Sequence, residues 1–289
     1  MEVKQIGCLG QVLIVLLIIV IPLVVILVDS NTRLVTTEFE LIYDDLPDEF
    51  NGYRIVLLAD LHGVEHGKDN ERLIQKIKDA NPDIITIAGD LIDRYQPGRP
   101  VERQIEVAQT LVHQLVRIAP VFYVTGNHEW DSGMLRPLLE MLEENDVNVL
   151  QHESRRLTIG DDSIILAGLE DPNGPADMKK PAEFIEELYE EEEPDFLIVL
   201  SHRNNNLQTL SRIGVDLILS GHAHGGMVRL PFTDGLVGPQ QEFFPTFTSG
   251  VYTRGSTNMV VSRGLGNHFG WTRFLNNPQV VVVELRASD

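Results

Sequence analysis

Hydrophobic and polar positions divide the chain into an apolar head and a patterned body. Residues 9–28 are almost unbroken Leu, Ile and Val, with Gln11 near one end and Pro22 inside. About twenty residues at helical rise span a bilayer core. No face of this run is polar, which argues against a buried core helix. A cleaved signal peptide needs a small-x-small site, which Val28-Asp29-Ser30-Asn31-Thr32 lacks. Cys8 precedes the apolar run, the wrong place for a lipobox. Residues 1–30 are therefore read as a retained anchor, with a transmembrane helix at about 9–28. Lys4 and the amino terminus lie before the span and Arg33 after it. Positive charge favours the cytoplasm, so the amino terminus is expected inside and the body outside.

Residues 31–53 read as a spacer with an edge strand at 35–43 and a turn at Leu46-Pro47-Asp48. A regular pattern follows. Apolar runs at 54–59, 83–88 and 121–124 predict buried strands, and amphipathic stretches at 70–80, 101–118 and 134–145 predict helices. Beyond Val147 the strands come faster, with a hairpin around Gly160-Asp161-Asp162, a helix at 181–189 and strands at 196–200, 215–219, 259–262 and 280–285. The acidic run Glu190–Glu193 reads as a solvated helix end. This order predicts an α/β fold, a sandwich of two mixed β-sheets with outer helices.

Composition narrows the function. Formal net charge is -20, which repels phosphate backbones and argues against nucleic acid as a partner. The single cysteine excludes an intrachain disulfide. No internal repeat is present, and nothing calls for an obligate protein partner.

Chemistry gathers where the strands end. Strand 54–59 runs into Asp60-Leu61-His62, strand 83–88 into Gly89-Asp90-Leu91-Ile92-Asp93, and strand 121–124 into Thr125-Gly126-Asn127-His128-Glu129. Strand 196–200 runs into Ser201-His202, and strand 215–219 into Gly221-His222-Ala223-His224-Gly225-Gly226. Ligands of α/β sheets collect at the carboxyl ends of strands. One such residue could be a helix cap or a turn, but five in succession are hard to explain that way. In extended backbone His222 and His224 would aim at one point. Mixed Asp, His and Asn donors suit Mn, Fe, Zn or Mg, and Asp90 can bridge two ions through its two oxygens. Two ions can clamp the attacking and leaving oxygens of a phosphoryl transfer.

These five blocks, in this order, resemble the calcineurin-like metallophosphoesterases over roughly residues 38–285. The apolar head, Gly221–Pro231 and the late Ser262–Gly266 block resemble the family's membrane-anchored bacterial branch. The resemblance implies a four-layer sandwich, the metallophosphoesterase fold, over residues 38–289. It implies that Asp60, His62, Asp90 and His224 hold one ion and that Asp90, Asn127, His202 and His222 hold a second, with Mn favoured. His128 would be the non-ligand acid, with Asp93 orienting it or a ligand. Ala59 stands where such proteins often have Ser, and Asn204-Asn205-Asn206 where a proline is common, which leaves the local substrate contacts open.

Arg203, Arg229 and Arg263 lie near motif ends and are substrate-binding candidates for a phosphate. Glu65 and His66 are expected in a solvated loop, and Trp130 in packing. Phe232, Phe243, Phe244 and Phe247 read as a satellite core, the alternative being an apolar surface for a lipid-like substrate. His113, His152 and His268 receive no role. The expectation is a membrane-anchored hydrolase of a phosphodiester or pyrophosphate bond, with a lipid-linked or envelope substrate such as a UDP-2,3-diacylglucosamine within the resembling branch. The alternatives are a phosphomonoesterase or protein phosphatase and, from another class, a catalytically silent binding scaffold.

Overall fold

The computed structural model describes residues 7–94, 98–238, 241–267 and 272–288, so His268 lies outside the described residues. Two six-stranded mixed sheets carry the fold. In the first, β1 (Val35–Tyr43), β12 (Gln279–Ala287), β2 (Arg54–Leu58), β3 (Ile84–Ala88), β4 (Val121–Val124) and β5 (Asn148–Val149) lie side by side in that order. In the second the order is β10 (Gly250–Arg254), β11 (Thr257–Val261), β9 (Leu217–Ser220), β8 (Leu197–Ser201), β7 (Asp162–Leu169) and β6 (Glu153–Ile159). Strands β2 to β5 run parallel, and β12 is antiparallel to β2. Strands β7, β8, β9 and β11 also run parallel.

The unbroken apolar runs are explained by burial on both faces. Successive side chains of a strand point to opposite sides. Ile55 and Leu57 therefore enter the layer between the sheets with Phe122, Leu166, Leu200 and Leu219. Val56 and Leu58 face outward onto Leu73 and Ile77 of α2 (Glu71–Ala80), Leu111 of α3 (Val101–Leu115) and Leu138 of α5 (Leu135–Glu144). On the far side Leu197, Val199 and Ile218 pack on Ile185 and Leu188 of α6 (Pro181–Glu192). Helix, sheet, sheet and helix make the four layers.

Three elements go beyond the sequence reading. Asn127–Ser132 forms a short helix, α4. Glu129 makes it one, because its carboxylate turns back to accept from the Gly126 N–H at 2.8 Å, the role of the third residue in a capping box. Strand β10 has only intermediate or exposed positions, so no buried run announces it. The apolar head forms α1 (Cys8–Thr32), which continues past residue 28. Its last turn is polar, yet it is no free linker. Asn31 donates to the Arg273 carbonyl at 2.9 Å and accepts from the Arg273 N–H at 3.0 Å. Ser30 Oγ accepts from the Leu275 N–H at 2.8 Å, and Asn277 donates to the Asp29 carbonyl at 2.7 Å. Leu34, next in line, is buried in the outer core. Further up α1, residues such as Leu13, Ile18 and Val25 are exposed.

Candidate metal centre

The motif-bearing strands β2, β3, β4, β8 and β9 deliver their loops to one end of the sandwich. The loops then bridge the two sheets. The Asp60 carboxylate accepts from the His222 N–H at 3.1 Å, and His202 Nδ1 lies 2.8 Å from the Ala88 carbonyl. Two glycines make the approach possible: a Cβ at Gly221 would press on Ala59 and Asp60, and one at Gly126 would overlap the Asp90 carboxylate.

The loops turn sharply at the ligand-type residues themselves. Asp60, His62, Asp90, His222 and His224 all have left-handed backbone, with φ of 52°, 49°, 54°, 66° and 48°. Each such residue costs on the order of 1 kcal/mol or more. Left-handed non-glycine residues occur elsewhere in the chain too, but here five of them meet at one site, as strained residues do where function holds them. Their conformation also corrects the expectation of extended backbone at His222 and His224. A left-handed turn sends them to neighbouring groups instead of one point.

Asp60, His62, Asp90 and His224 each offer a ligand atom within 4.8 Å of the others, and Asp90, His202 and His222 do the same. Asp90 belongs to both sets. Nε2 of His62 and His224 are 3.1 Å apart. His202 Nε2 is 3.0 Å from Asn127 Oδ1, 3.0 Å from His222 Nδ1 and 3.3 Å from Asp90 Oδ2. Ring nitrogens and carboxylate oxygens facing one another at such distances suit a cation between them. The donors fit a pair of divalent ions, with imidazole and carboxylate mixed and one carboxylate shared.

Electrostatics divides the ligand-type residues. Burial pushes the Asp60 carboxyl up to about 7, with Asp90 adding to it against the pull of His202. Burial also opposes ionisation of Asp90, but His202, His128 and His62 overcome it and hold Asp90 well below the usual range. His222 and His224 are held neutral, by burial first and then by neighbouring His202 and His62 respectively. Burial alone would lower His202, but Asp90 raises it to about 10. Asp90, His222 and His224 thus already have the form that a metal binds, and a metal would displace the protons of Asp60 and His202.

Beside these sets stands His128. Its Nδ1 is 2.6 Å from Asp93 Oδ1, and its Nε2 is 4.0 Å from Asp90 Oδ2. Burial alone would lower its pKa; the Asp93 hydrogen bond and the charges of Asp90, Asp93 and Glu129 raise it above the ordinary value. Asp93 also lies 3.9 Å from His62 Nδ1, so it braces both rings.

The arginines separate. Arg203 is clamped by buried Asp171, Nε to Oδ2 at 2.5 Å and Nη2 to Oδ1 at 3.0 Å, and its Nη1 reaches His222 Nε2 at 2.9 Å. With Asn204, Asn205, His222, Glu242 and Pro245 it lines a cleft of about 100 Å³. Arg229 is tied to the Gly225 carbonyl, Thr248 and Ser249, behind the His224 turn. Arg263 crosses the other side of that turn, its Cγ beside Gly225.

Residues outside the motifs also matter. Glu129 accepts from the Asp90, Leu91 and Gly126 N–H groups and so joins two motif loops; its place three residues after Gly126 was the available signal. Asp171 and Arg273 had no sequence signal. Arg273 is fully buried, donates to the Gly266 carbonyl at 2.6 Å and comes within 3.4 Å of His224 Nδ1. His66, expected in a solvated loop, is buried, 3.0 Å from the Leu265 carbonyl. Glu65 is exposed. Trp130 donates to Thr125 Oγ1 at 3.1 Å and packs at Gly174. Of the four phenylalanines only Phe247 joins a core, against the α6 side; Phe232, Phe243 and Phe244 are exposed.

The family of calcineurin-like phosphoesterases matches residues 53–226. The uncharacterized metallophosphoesterase YkuE of Bacillus subtilis (strain 168) is 27% identical over 257 residues, covering 88% of this chain and 86% of that one. A transmembrane protein with metallophosphoesterase domain from Danio rerio is 27% identical over 237 residues, covering 77% of this chain and 52% of its own length. Among solved structures, the NAD nucleotidase NadN of Haemophilus influenzae overlays with a TM-score of 0.49 at 14% identity, covering 73% of this chain and 50% of that one.

Proposed function

The chain belongs to the calcineurin-like phosphoesterase family, and from that premise we propose that it is a membrane-anchored, two-metal hydrolase of a phosphodiester or pyrophosphate bond in a lipid-linked or envelope substrate. The place where α1 ends carries this reading. Asn277, bonded to Asp29, is two residues before β12 begins. Strand β12 is antiparallel to β2, with Val281 opposite Leu57, so β2 ends beside the start of β12. The parallel strands end there too. The metal-type residues therefore sit at the pole of the domain to which the anchor is bonded. Asn276 makes the connection short, since its amide donates to the His224 carbonyl at 2.7 Å. By length and composition α1 can cross a membrane. A site fixed against such a helix meets amphiphilic substrates at high effective concentration.

Asp60, His62, Asp90 and His224 would hold one ion and Asp90, Asn127, His202 and His222 the other, with Mn favoured over Fe, Zn and Mg. Two such ions, when bound, supply Lewis-acid charge and activate water for attack on phosphorus. His128 keeps a proton because Asp93 and the surrounding carboxylates favour its charged form. With Nδ1 engaged by Asp93, Nε2 is the atom that delivers this proton to the departing oxygen. Arg203, pre-oriented by Asp171, offers its guanidinium edge to a phosphoryl oxygen. Lys4 before α1 supports a cytoplasmic amino terminus with the catalytic body on the other side; labelling of the full chain from either side of sealed vesicles tests this.

The function is tested on the full chain in micelles, stripped of metal and reloaded with Mn. Rates are compared on a nitrophenyl phosphomonoester, a bis-nitrophenyl phosphodiester and a UDP-linked pyrophosphate, with metal content measured alongside. Diester or pyrophosphate turnover that vanishes in Asn127→Ala supports the reading. A strong monoester preference selects a phosphatase instead. Two tightly bound ions without turnover on any of them would leave a binding scaffold.

A further inference from the structure

The metal centre leaves one corner of the same pole unused. Residues 228–237 form a small hairpin, with Arg229 opposite Gly235 and Val237 opposite Phe243. Its turn presents Phe232, which is completely exposed, and Leu230, which is 45% exposed. Phe243 and Phe244 on its outer edge are 76% and 75% exposed. Scattered apolar residues on a surface are ordinary, but three phenylalanines on one small hairpin and the segment beside it are not.

The hairpin is built onto the end of α1. Val228 pairs in parallel with Phe274, and the Arg229 N–H donates to the Phe274 carbonyl at 2.9 Å. The next residue, Leu275, is bonded to Ser30 of α1 and is itself 38% exposed. In this register the chain leaves Val228 toward the turn in the direction that the neighbouring segment takes toward Ser30. The hairpin is thus bonded, through Phe274 and Leu275, to the end of α1 above which the apolar residues of the anchor are exposed.

Cations gather at the same junction. Asp29 pairs with Arg33 at 2.6 Å, and Asp234 lies 3.8 Å from Arg229. The Arg263 guanidinium has no hydrogen-bond or ion-pair partner among the described residues. Burial, then Arg229 and Arg33, lower its pKa to about 10. In a chain of net charge -20, a half-buried arginine facing two others and no acid is a place prepared for an external anion.

We propose that this corner is a second membrane contact: the hairpin tip and edge seat Leu230, Phe232, Phe243 and Phe244 in an anionic bilayer beside α1, with a lipid phosphate as counter-ion to Arg263. This rests on the reading of α1 as a membrane span. Aromatic side chains with adjacent basic residues are the composition that lies in the headgroup layer. Two contacts stop the domain swivelling about α1 and hold the metal pole at headgroup depth. The favoured substrate class is then an amphiphile whose phosphoryl group lies at that depth.

The test uses the full chain, one copy per nanodisc, in a Cys8→Ser background. An NBD probe is attached at Phe232→Cys, or at Asp161→Cys in the β6–β7 turn at the opposite pole, and spin-labelled lipids serve as quencher. With phosphatidylglycerol present, the probe at 232 should be quenched strongly and the one at 161 not at all. Arg263→Gln should lower the ratio of docked to undocked hairpin about fivefold in phosphatidylglycerol discs and by less in phosphatidylcholine discs, where choline already balances the lipid phosphate. The Phe243→Ser/Phe244→Ser pair, which removes only exposed rings, should undock it in both. Equal quenching at 232 and 161 overturns the proposal, as does quenching that appears only with two copies per disc, which would make a second chain the occupant. Release of the chain from vesicles by alkaline carbonate would instead overturn the anchor reading and this proposal with it, so the two failures are told apart.

Discussion

At the carboxyl ends of the strands Asp60, Asp90, Asp93 and Glu129 are buried together among His62, His128, His202 and His224. At the amino ends Asp216, just before β9, is buried against Asp45 with no imidazole beside it. Both ends put carboxyl groups where charge is costly, and burial pushes Asp60 and Glu129 at the first and Asp216 at the second up to about 7; what differs is the company they keep. At the first, His202, His128 and His62 overcome burial to hold Asp90 ionised while burial keeps His222 and His224 neutral, an arrangement that cations would complete. At the second, burial and the nearby Asp45 carboxylate push Asp216 up to about 7, and a proton does what a metal would do elsewhere. Buried acids alone therefore do not mark the site. Their partners and backbone do.

The largest break in this contrast comes from Asp90→Asn. It keeps the acceptor that receives the His128 N–H at 3.0 Å but removes the shared charge. Hydrolysis should fall by about a thousandfold or more, since metal charge stabilisation is worth several kcal/mol and each 1.4 kcal/mol is tenfold. Bound metal should fall with it. The variant should melt below the parent both with Mn and in EDTA, since without metal the Asp90 charge is still balanced by His202, His128 and His62, and the loss should be larger with Mn. A variant equally destabilised in both would mean that Asp90 is held by protein contacts alone.

Next in size is His128→Ala, expected to lower kcat by about 10²–10⁴ with both ions still bound, as for loss of a general acid. Asp93→Asn acts through His128 and His62, and its loss should be about 10–100-fold. Metal loss from His128→Ala, measured by elemental analysis, would make it a ligand and erase the distinction between His128 and the ligand sets.

How much of this pole could be read in advance depended on how local the information was. The apolar runs 54–59, 83–88 and 196–200 state a strand buried on both faces, and each is followed at once by its ligand-type residues, so the order of motifs shows the centre before any contact is known. Glu129 was visible in its motif, but its bonds to the Asp90 and Leu91 N–H groups cross 39 and 38 positions. The attachment of α1 was not readable, because Asn31 and Arg273 lie 242 positions apart and Ser30-Asn31-Thr32 has the composition of a linker. The phenylalanine hairpin was misread as a satellite core for the same reason: apolar composition does not say whether a partner layer exists to cover it.

The smallest expected effect tests the other side of the comparison. Asp216 Oδ2 accepts from the Leu197 N–H at 2.7 Å, and the exposed Asp45 carboxyl is the nearby group that raises its pKa after burial. Its pKa rises from 3.8 in the free group to about 7 in the folded chain. The folded state therefore binds this proton more tightly than the unfolded one. The stabilisation is fully present below about pH 4 and is lost as pH rises toward about 7, where the folded chain must also ionise. Asp216→Asn keeps an oxygen for Leu197 and offers an amide to Asp45, so it holds the neutral form at every pH. At pH 8 it should be more stable than the parent by about 2 kcal/mol, a discounted share of the full shift, which is a rise of about 5 °C in Tm. At pH 4 the two should melt together. Thermal melts of both chains from pH 4 to 8 decide it: parallel curves would mean that Asp216 is already ionised at neutral pH, and that the far pole meets the cost of a buried carboxylate by some means other than a proton.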